Sequence, residues 1–160
     1  MTRPERLELL IGDRRLSEEQ FDNSELAGLW ARAVSAWHDA GVTGLSTEGA
    51  FVRAYDAARQ AAVTVLAAHG LRVKSGQGHH YITFYALGAL EIPELSGFAA
   101  EFEAVRNSRH LAVYEAELDP NALIGDLGRL RSAVERFLPE ARRHLVSQLP
   151  ALEFKLGSNL

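Results

Sequence analysis

Apolar residues recur at intervals of three and four along almost the whole chain, and this period constrains the fold more than any other feature. It is the period of an α-helix that buries one face. Within residues 24–40 the pattern is carried by Leu26, Leu29, Trp30, Ala33 and Trp37. Gly41 follows at the position where glycine commonly ends a helix. We therefore predict an amphipathic helix over residues 24–40.

The same period predicts most of the remaining structure. Further helices are expected over residues 3–11, 46–69, 79–90 and 94–117, with a last long one after Asp119. Asp119 supplies an N-cap for that last helix, and Pro120 suits its first turn. Pro139 should end or kink it, because proline removes a helical hydrogen bond.

Two segments near the start and the middle of the chain are less regular. Ser17 and Gln20 have the spacing of a capping box, which makes residue 17 a candidate helix start. Residues 71–78 carry two glycines, a serine and a lysine between helical patterns, and we predict that they form a loop.

These segments predict an all-α fold, because no strand-like alternation of apolar and polar residues competes with the helical period. A chain of 160 residues suits one domain with one core. We expect an antiparallel bundle of four to six helices, with its core at about residues 25–145 and a tail at 150–160 that can fray.

Composition excludes several classes of chemistry. The chain has no cysteine, so disulfides, thiol nucleophiles and thiolate metal sites are ruled out. No apolar run approaches the length needed to cross a bilayer, and residues 1–6 lack an apolar signal core. The sequence therefore predicts a cytoplasmic location with no membrane contact.

Charge is unevenly distributed along the chain. The net charge is −4, yet no acidic residue stands between Asp56 and Glu91. Six basic or titratable cationic residues fall in that interval: Arg59, His69, Arg72, Lys74, His79 and His80. The interval is a candidate anion-binding segment. Alternatively, an alanine-rich buried helix needs few charges, and the loop after it happens to be basic.

Arg109 occupies an apolar position of the predicted helix 94–117. The apolar stripe runs through Leu95, Phe98, Phe102, Val105, Ala112 and Ala116, and Arg109 falls inside it. A buried guanidinium needs a partner, so Arg109 either reaches an edge, pairs with an internal carboxylate, or faces a cleft or interface. Arg106, His110 and Tyr114 follow at intervals of four and line a neighbouring face that suits phosphate.

Three segments together resemble a HEPN domain of the kind found in small bacterial proteins. They are Ala54-Tyr55-Asp56-Ala57-Ala58-Arg59-Gln60-Ala61-Ala62, Gly76-Gln77-Gly78-His79-His80-Tyr81, and Val105-Arg106-Asn107-Ser108-Arg109-His110-Leu111-Ala112-Val113-Tyr114-Glu115. The resemblance covers about residues 25–145. It implies a helical bundle, a homodimer, and either a metal-independent ribonuclease of toxin–antitoxin or defence type or a non-catalytic partner of a nucleotidyltransferase.

The HEPN signature is an arginine and a histidine separated by four to six residues, the first of which is polar. Arg109-His110 matches the dipeptide, but Tyr114 stands where the histidine is expected. Arg106-Asn107 also matches the dipeptide, and His110 then comes one residue early. Histidine titrates near pH 6.5 and tyrosine near pH 10, so Tyr114 is poorly matched to proton transfer. Arg109 can still stabilise charge on phosphorus, and His110 can supply the proton transfer.

The segment before the helix at 79–90 has two further interpretations. His79 and His80 could ligate a metal, but no third ligand stands at a suitable spacing, so no metal site and no cofactor are predicted. The helix that begins at His79 could bind an anion through its free amides. Alternatively, Gly76 and Gly78 merely permit a turn, and a histidine caps the helix.

The expected function is binding of RNA or nucleotide phosphate, with cleavage of RNA as an activity that the altered signature leaves open. Arg109, His110 and Tyr114 are the candidate catalytic residues. The candidate ligand-binding residues are Arg72, Lys74, His79, His80, Arg106 and Asn107. The rival interpretation is an interaction module in which Arg109 and Tyr114 contact another protein.

Overall fold

A computed structural model of the chain describes residues 3–76, 79–114 and 120–157. For residues 79, 80 and 107–114 it describes the backbone. The described residues form α1 (Glu5–Gly12), α2 (Asn23–Ala40), α3 (Thr47–Ala68), α4 (His79–Ala89), α5 (Pro93–Tyr114) and α6 (Pro120–Gln148), with strands β1 (Leu16–Glu18) and β2 (Leu71–Val73). The predicted all-α bundle is confirmed.

Local capping explains why α2 and α3 begin where they do. The Asp22 side chain accepts a hydrogen bond from the Glu25 backbone N–H, and the Asp22 N–H donates to the Glu25 carboxylate, both at 2.8 Å. The Ser46 hydroxyl accepts from the Gly49 N–H at 3.0 Å. These contacts satisfy first-turn amides that lack partners inside a helix.

The β1–β2 pair corrects two sequence predictions. Residues 16–18 form a strand rather than a helix start near Ser17, and residues 71–73 form a strand within the segment predicted as a loop. The strands are antiparallel, with Leu16 opposite Val73 and Glu18 opposite Leu71. Each strand has three residues and a partner far away in the sequence. Three residues are too few to show an alternation, so the local pattern could not reveal them.

Helix α3 lies at the centre and contacts α2, α4, α5 and α6. Fully buried alanines let its neighbours approach closely: Ala54, Ala57, Ala58, Ala61 and Ala62. Aromatic rings from α4, α5 and α6 pack together in the same core, where Phe84 and Phe102 lie 5.0 Å apart and Phe102 meets Phe137 edge to face at 5.1 Å. Leu95, Phe102 and Val105 are buried, as the α5 stripe predicts.

Pro139 does not end α6, which leaves the kink as the remaining part of the prediction that it should end or kink this helix. Pro139 is exposed, so water can solvate the carbonyl that its missing N–H would have bonded. Beyond α6, Leu152 and Leu156 are buried, and Arg142 Nε donates to the Gly157 carbonyl at 2.8 Å. In the described part of the chain, no helix is long and apolar enough to span a bilayer.

Candidate functional site

A pocket of about 260 Å³ opens between α2, α3, β2 and the first turns of α4. Four cations line the pocket. Arg32 comes from α2, Arg59 from α3 and Arg72 from β2, and Lys74 directly follows β2. No acidic residue lines the pocket among those that the structure describes. We call this feature the cationic pocket. Its other lining residues are Phe21, Leu29, Gln60, Val63, Leu66, Ala67, Leu71, Val73, Ser75 and Thr83.

The short sheet positions the cations that come from the segment after α3. Gly70 turns the chain with φ +73°, a conformation that side chains disfavour, and its carbonyl accepts from the Glu19 N–H at 2.9 Å. Leu71 is then buried and Arg72 exposed, as alternation along a strand requires. The Lys74 N–H donates to the Arg15 carbonyl at 3.1 Å, which fixes the backbone beyond β2.

Two of the four cations have carboxylate neighbours. Arg72 donates through Nε and Nη2 to Glu19 and lies 5.0 Å from the centre of the Phe21 ring. The hydrogen bond to Glu19 raises the pKa of Arg72 above its usual value. Arg59 Nε lies 3.8 Å from Asp56 Oδ1, too far for a good hydrogen bond. This nitrogen is buried and has no hydrogen-bond partner among the described residues.

The other two cations raise the potential of the pocket. Arg32 and Lys74 are exposed and form no ion pair with any acidic residue in the described ranges. The pocket therefore combines two compensated and two uncompensated positive charges above apolar side chains. This arrangement attracts a polyvalent anion such as phosphate.

A second feature lies where α5 passes the start of α4. The Arg106 guanidinium covers the Tyr81 ring, 5.0 Å from its centre. Tyr81 directly follows His80, so this contact brings the α5 segment with the predicted signature beside the first turn of α4. Glu103, one turn before Arg106, has a buried carboxylate oxygen with no hydrogen-bond partner among the described residues.

The two features face different sides of α4. Thr83 lines the cationic pocket, whereas Tyr81 carries the Arg106 contact. Residues two apart on an α-helix point about 200° apart, so the structure separates the predicted ligand-binding residues into two groups. Arg72 and Lys74 belong to the pocket, and Arg106 belongs to the α4–α5 contact. The side chains of Asn107, Arg109, His110, Tyr114, His79 and His80 lie outside the described residues.

No family model, no curated protein and no solved structure matches this chain.

Sequence reasoning did not assign Arg32 or Phe21 to a site. Arg32 lies on α2, away from the basic interval, and only the packing of α2 beside α3 brings it to the pocket. Periodicity predicts which face of a helix is buried but not which helix lies next to it. Phe21 precedes the N-cap Asp22, a position where an apolar residue commonly fixes the entry of the chain into a helix. That signal marks packing and gives no sign of a site.

Proposed function

We propose that this chain is a HEPN-like protein that binds the phosphate groups of RNA or of a nucleotide. The convergence of Arg32, Arg59, Arg72 and Lys74 on one pocket supports this proposal best. Arginine presents a planar fork of donors that matches phosphate oxygens, and lysine adds a mobile point charge. Three separate segments bring these cations together, which a randomly basic loop would not do.

The α4–α5 contact supports a second part of the same proposal. Arg106 is partly buried against Tyr81, and Arg109 and His110 follow on the same helix. In the catalytic form of the proposal, Arg109 stabilises the charge that develops on the phosphate during RNA cleavage. His110 transfers the proton, because an imidazole is in general better matched than a phenol to proton transfer at neutral pH. The protein would then be a metal-independent endoribonuclease of toxin–antitoxin or defence type.

A non-catalytic interaction module is the second candidate, and a groove between α5 and α6 favours it. The groove has a volume of about 580 Å³ and a floor that includes Phe102, Val105 and Leu130. Apolar floors with polar rims are typical of protein-binding grooves. The partner in this proposal is a nucleotidyltransferase or another protein, and the chain acts as a homodimer. The homodimer rests on the family resemblance. The described helices bury most of their apolar stripes within the bundle, so these stripes give the homodimer no further support.

Binding of a labelled single-stranded RNA, measured by fluorescence anisotropy, tests the proposed function. The double variant Arg32→Gln/Lys74→Gln should weaken binding at least about tenfold, since charge-assisted contacts are lost. Its dependence on salt concentration should also become shallower, by about one unit of the log–log slope for each phosphate contact removed. Both residues are exposed, so the melting temperature should hardly change.

Arg129→Gln/Arg136→Gln is the matched control, because it also removes two positive charges. Arg129 and Arg136 are exposed arginines that pair with Asp126 and Glu101, away from the cationic pocket. Their substitution should leave RNA affinity unchanged. Equal losses in both variants would indicate a general effect of net charge, and full affinity in Arg32→Gln/Lys74→Gln would contradict the proposed function at this pocket.

A further inference from the structure

We propose that the cationic pocket holds a single nucleotide unit that carries a terminal phosphate. The unit can be a free nucleoside monophosphate or the 5′-phosphorylated end of an RNA, since the two share the same chemistry. The inference rests on the proposed phosphate-binding function and specifies its ligand. It depends on three properties of the pocket: its volume, the presence of both apolar and cationic lining residues, and its positive charge.

Size limits the ligand to one small molecule. The volume of about 260 Å³ lies just below the range of about 300–1,000 Å³ that is usual for small-molecule sites. A pocket of this size suits one nucleotide unit rather than several.

The pocket wall has an apolar part and a cationic part. Leu29 and Val63 present aliphatic surface from α2 and α3. The four cations lie at the same pocket, with the amide of Gln60 and the hydroxyl of Ser75 beside them. An inorganic anion would use only the cationic part. A nucleoside monophosphate uses both parts, because its base and ribose cover apolar surface while its phosphate meets the cations.

Charge favours a terminal phosphate over an internal one. A phosphomonoester carries about −1.5 to −2 charges at neutral pH, whereas an internal phosphodiester carries one. Arg32 and Lys74 offer two positive charges without carboxylate neighbours among the described residues, which matches a dianion. Arg59 adds a third guanidinium at the same pocket, and its side chain is 20% exposed.

Calorimetric titration of the full chain with a panel of probes tests the inference. The probes are inorganic phosphate, the common ribonucleoside 5′-monophosphates, the matching nucleosides, and one short RNA prepared with a 5′-phosphate and with a 5′-hydroxyl. At least one monophosphate should bind about tenfold more tightly than inorganic phosphate, because it also covers apolar surface. The nucleosides should bind much more weakly, and the RNA should bind more tightly with its 5′-phosphate.

Two variants locate the binding. Val63→Phe fills the apolar part of the pocket and should remove the preference for a monophosphate over inorganic phosphate while phosphate still binds. Arg59→Gln should weaken every phosphorylated probe. Melting temperatures of both variants show whether the fold survives. If it does not, the comparison of probes on the unaltered chain still decides the inference.

The outcomes separate this inference from the proposed function. Two results would overturn the inference and leave the proposed function standing. One is equal affinity for the RNA with a 5′-phosphate and with a 5′-hydroxyl, and the other is a monophosphate that binds no better than inorganic phosphate. Absence of binding by every phosphorylated probe, including RNA, would overturn both.

Discussion

The cationic pocket and the α5–α6 groove both contain arginines above apolar side chains, but their charges are arranged differently. In the groove, Arg136 pairs with Glu101 and Arg129 pairs with Asp126. In the pocket, Arg32 and Lys74 have no such partner among the described acidic residues. The hydrogen bond to Glu101 raises the pKa of Arg136, as Glu19 does for Arg72. The arginines of the groove are therefore neutralised by carboxylates, whereas the pocket keeps two positive charges that can bind an anionic ligand.

The difference shows that the number of arginines does not identify a site. What matters is where the carboxylates lie, because a paired guanidinium has already given its donors to an acceptor. Exposed pairs of the groove kind contribute little to stability and shield each other from a ligand. Unpaired cations at a concave surface raise its potential and attract anions.

The largest expected effect comes from comparing the apolar side chains that line the groove and the pocket. Phe102 forms part of the groove floor and is completely buried among Phe84, Phe98 and Phe137. Phe102→Ala should lower the free energy of unfolding by about 3–5 kcal/mol, through lost burial and the cavity left behind. The matched change in the pocket is Leu29→Ala, which removes a partly buried side chain and should cost much less. Urea denaturation measures the free energy of unfolding of both variants. Equal losses would contradict the expectation that Phe102 contributes more to stability than Leu29.

The fold was largely predictable from sequence because its determinants are local. Helix α2 ends at Ala40 before Gly41, and α3 begins after the cap Ser46, each within one or two residues of the predicted bound. The β1–β2 pair was not predictable, since Leu16 and Val73 meet only when the bundle brings distant segments together. The site divides in the same way, because Arg72 and Lys74 stand out in a local charge pattern while Arg32 joins them only through helix packing.

Arg109→Ala gives the next largest expected effect. It tests whether α5, like the pocket, supplies an arginine that binds phosphate. If Arg109 binds phosphate, its loss should weaken RNA binding about tenfold to a hundredfold and leave the melting temperature nearly unchanged. If Arg109 is a structural ion pair, the same change should lower the melting temperature and leave affinity intact, because a carboxylate would lose its partner. Anisotropy and thermal melting on the same preparation separate these results. In the second case, Tyr114→His should confer no nuclease activity.

Glu19→Gln should have a smaller effect of opposite sign. The Glu19 carboxylate occupies the Arg72 guanidinium, so removal of its charge should free Arg72 for phosphate and raise phosphate-ligand affinity several-fold, within the range of exposed ion pairs. Glu101→Gln makes the same change in the groove and should leave that affinity unchanged. Calorimetry with a nucleoside monophosphate measures both variants. A gain in both would indicate long-range charge rather than release of Arg72.

The smallest expected effect comes from a partly buried contact between two histidines, in contrast to the pairs of opposite charge in the groove. His69 is the C-cap of α3, and its Nε2 lies 2.9 Å from His144 Nε2 on α6, with the two rings stacked 13° from parallel. One ring donates and the other accepts, so at least one must be neutral. Burial lowers the pKa of His69, and the nearby His144 lowers it further. Burial also lowers the pKa of His144, against an opposing effect of Glu94.

Both folded-state pKa values therefore lie below the value of about 6.5 in an unfolded chain. The unfolded chain binds more protons as the pH falls below that value, so this contribution to stability is complete above it and is lost on acidification. The melting temperature should fall between about pH 7 and about pH 5, and less so in His69→Gln/His144→Gln, where neither ring can titrate. His38→Gln, at an exposed position of α2, is the control and should follow the unaltered chain. Parallel pH profiles for the double variant and the control would show that the imidazole pair does not set the acid response.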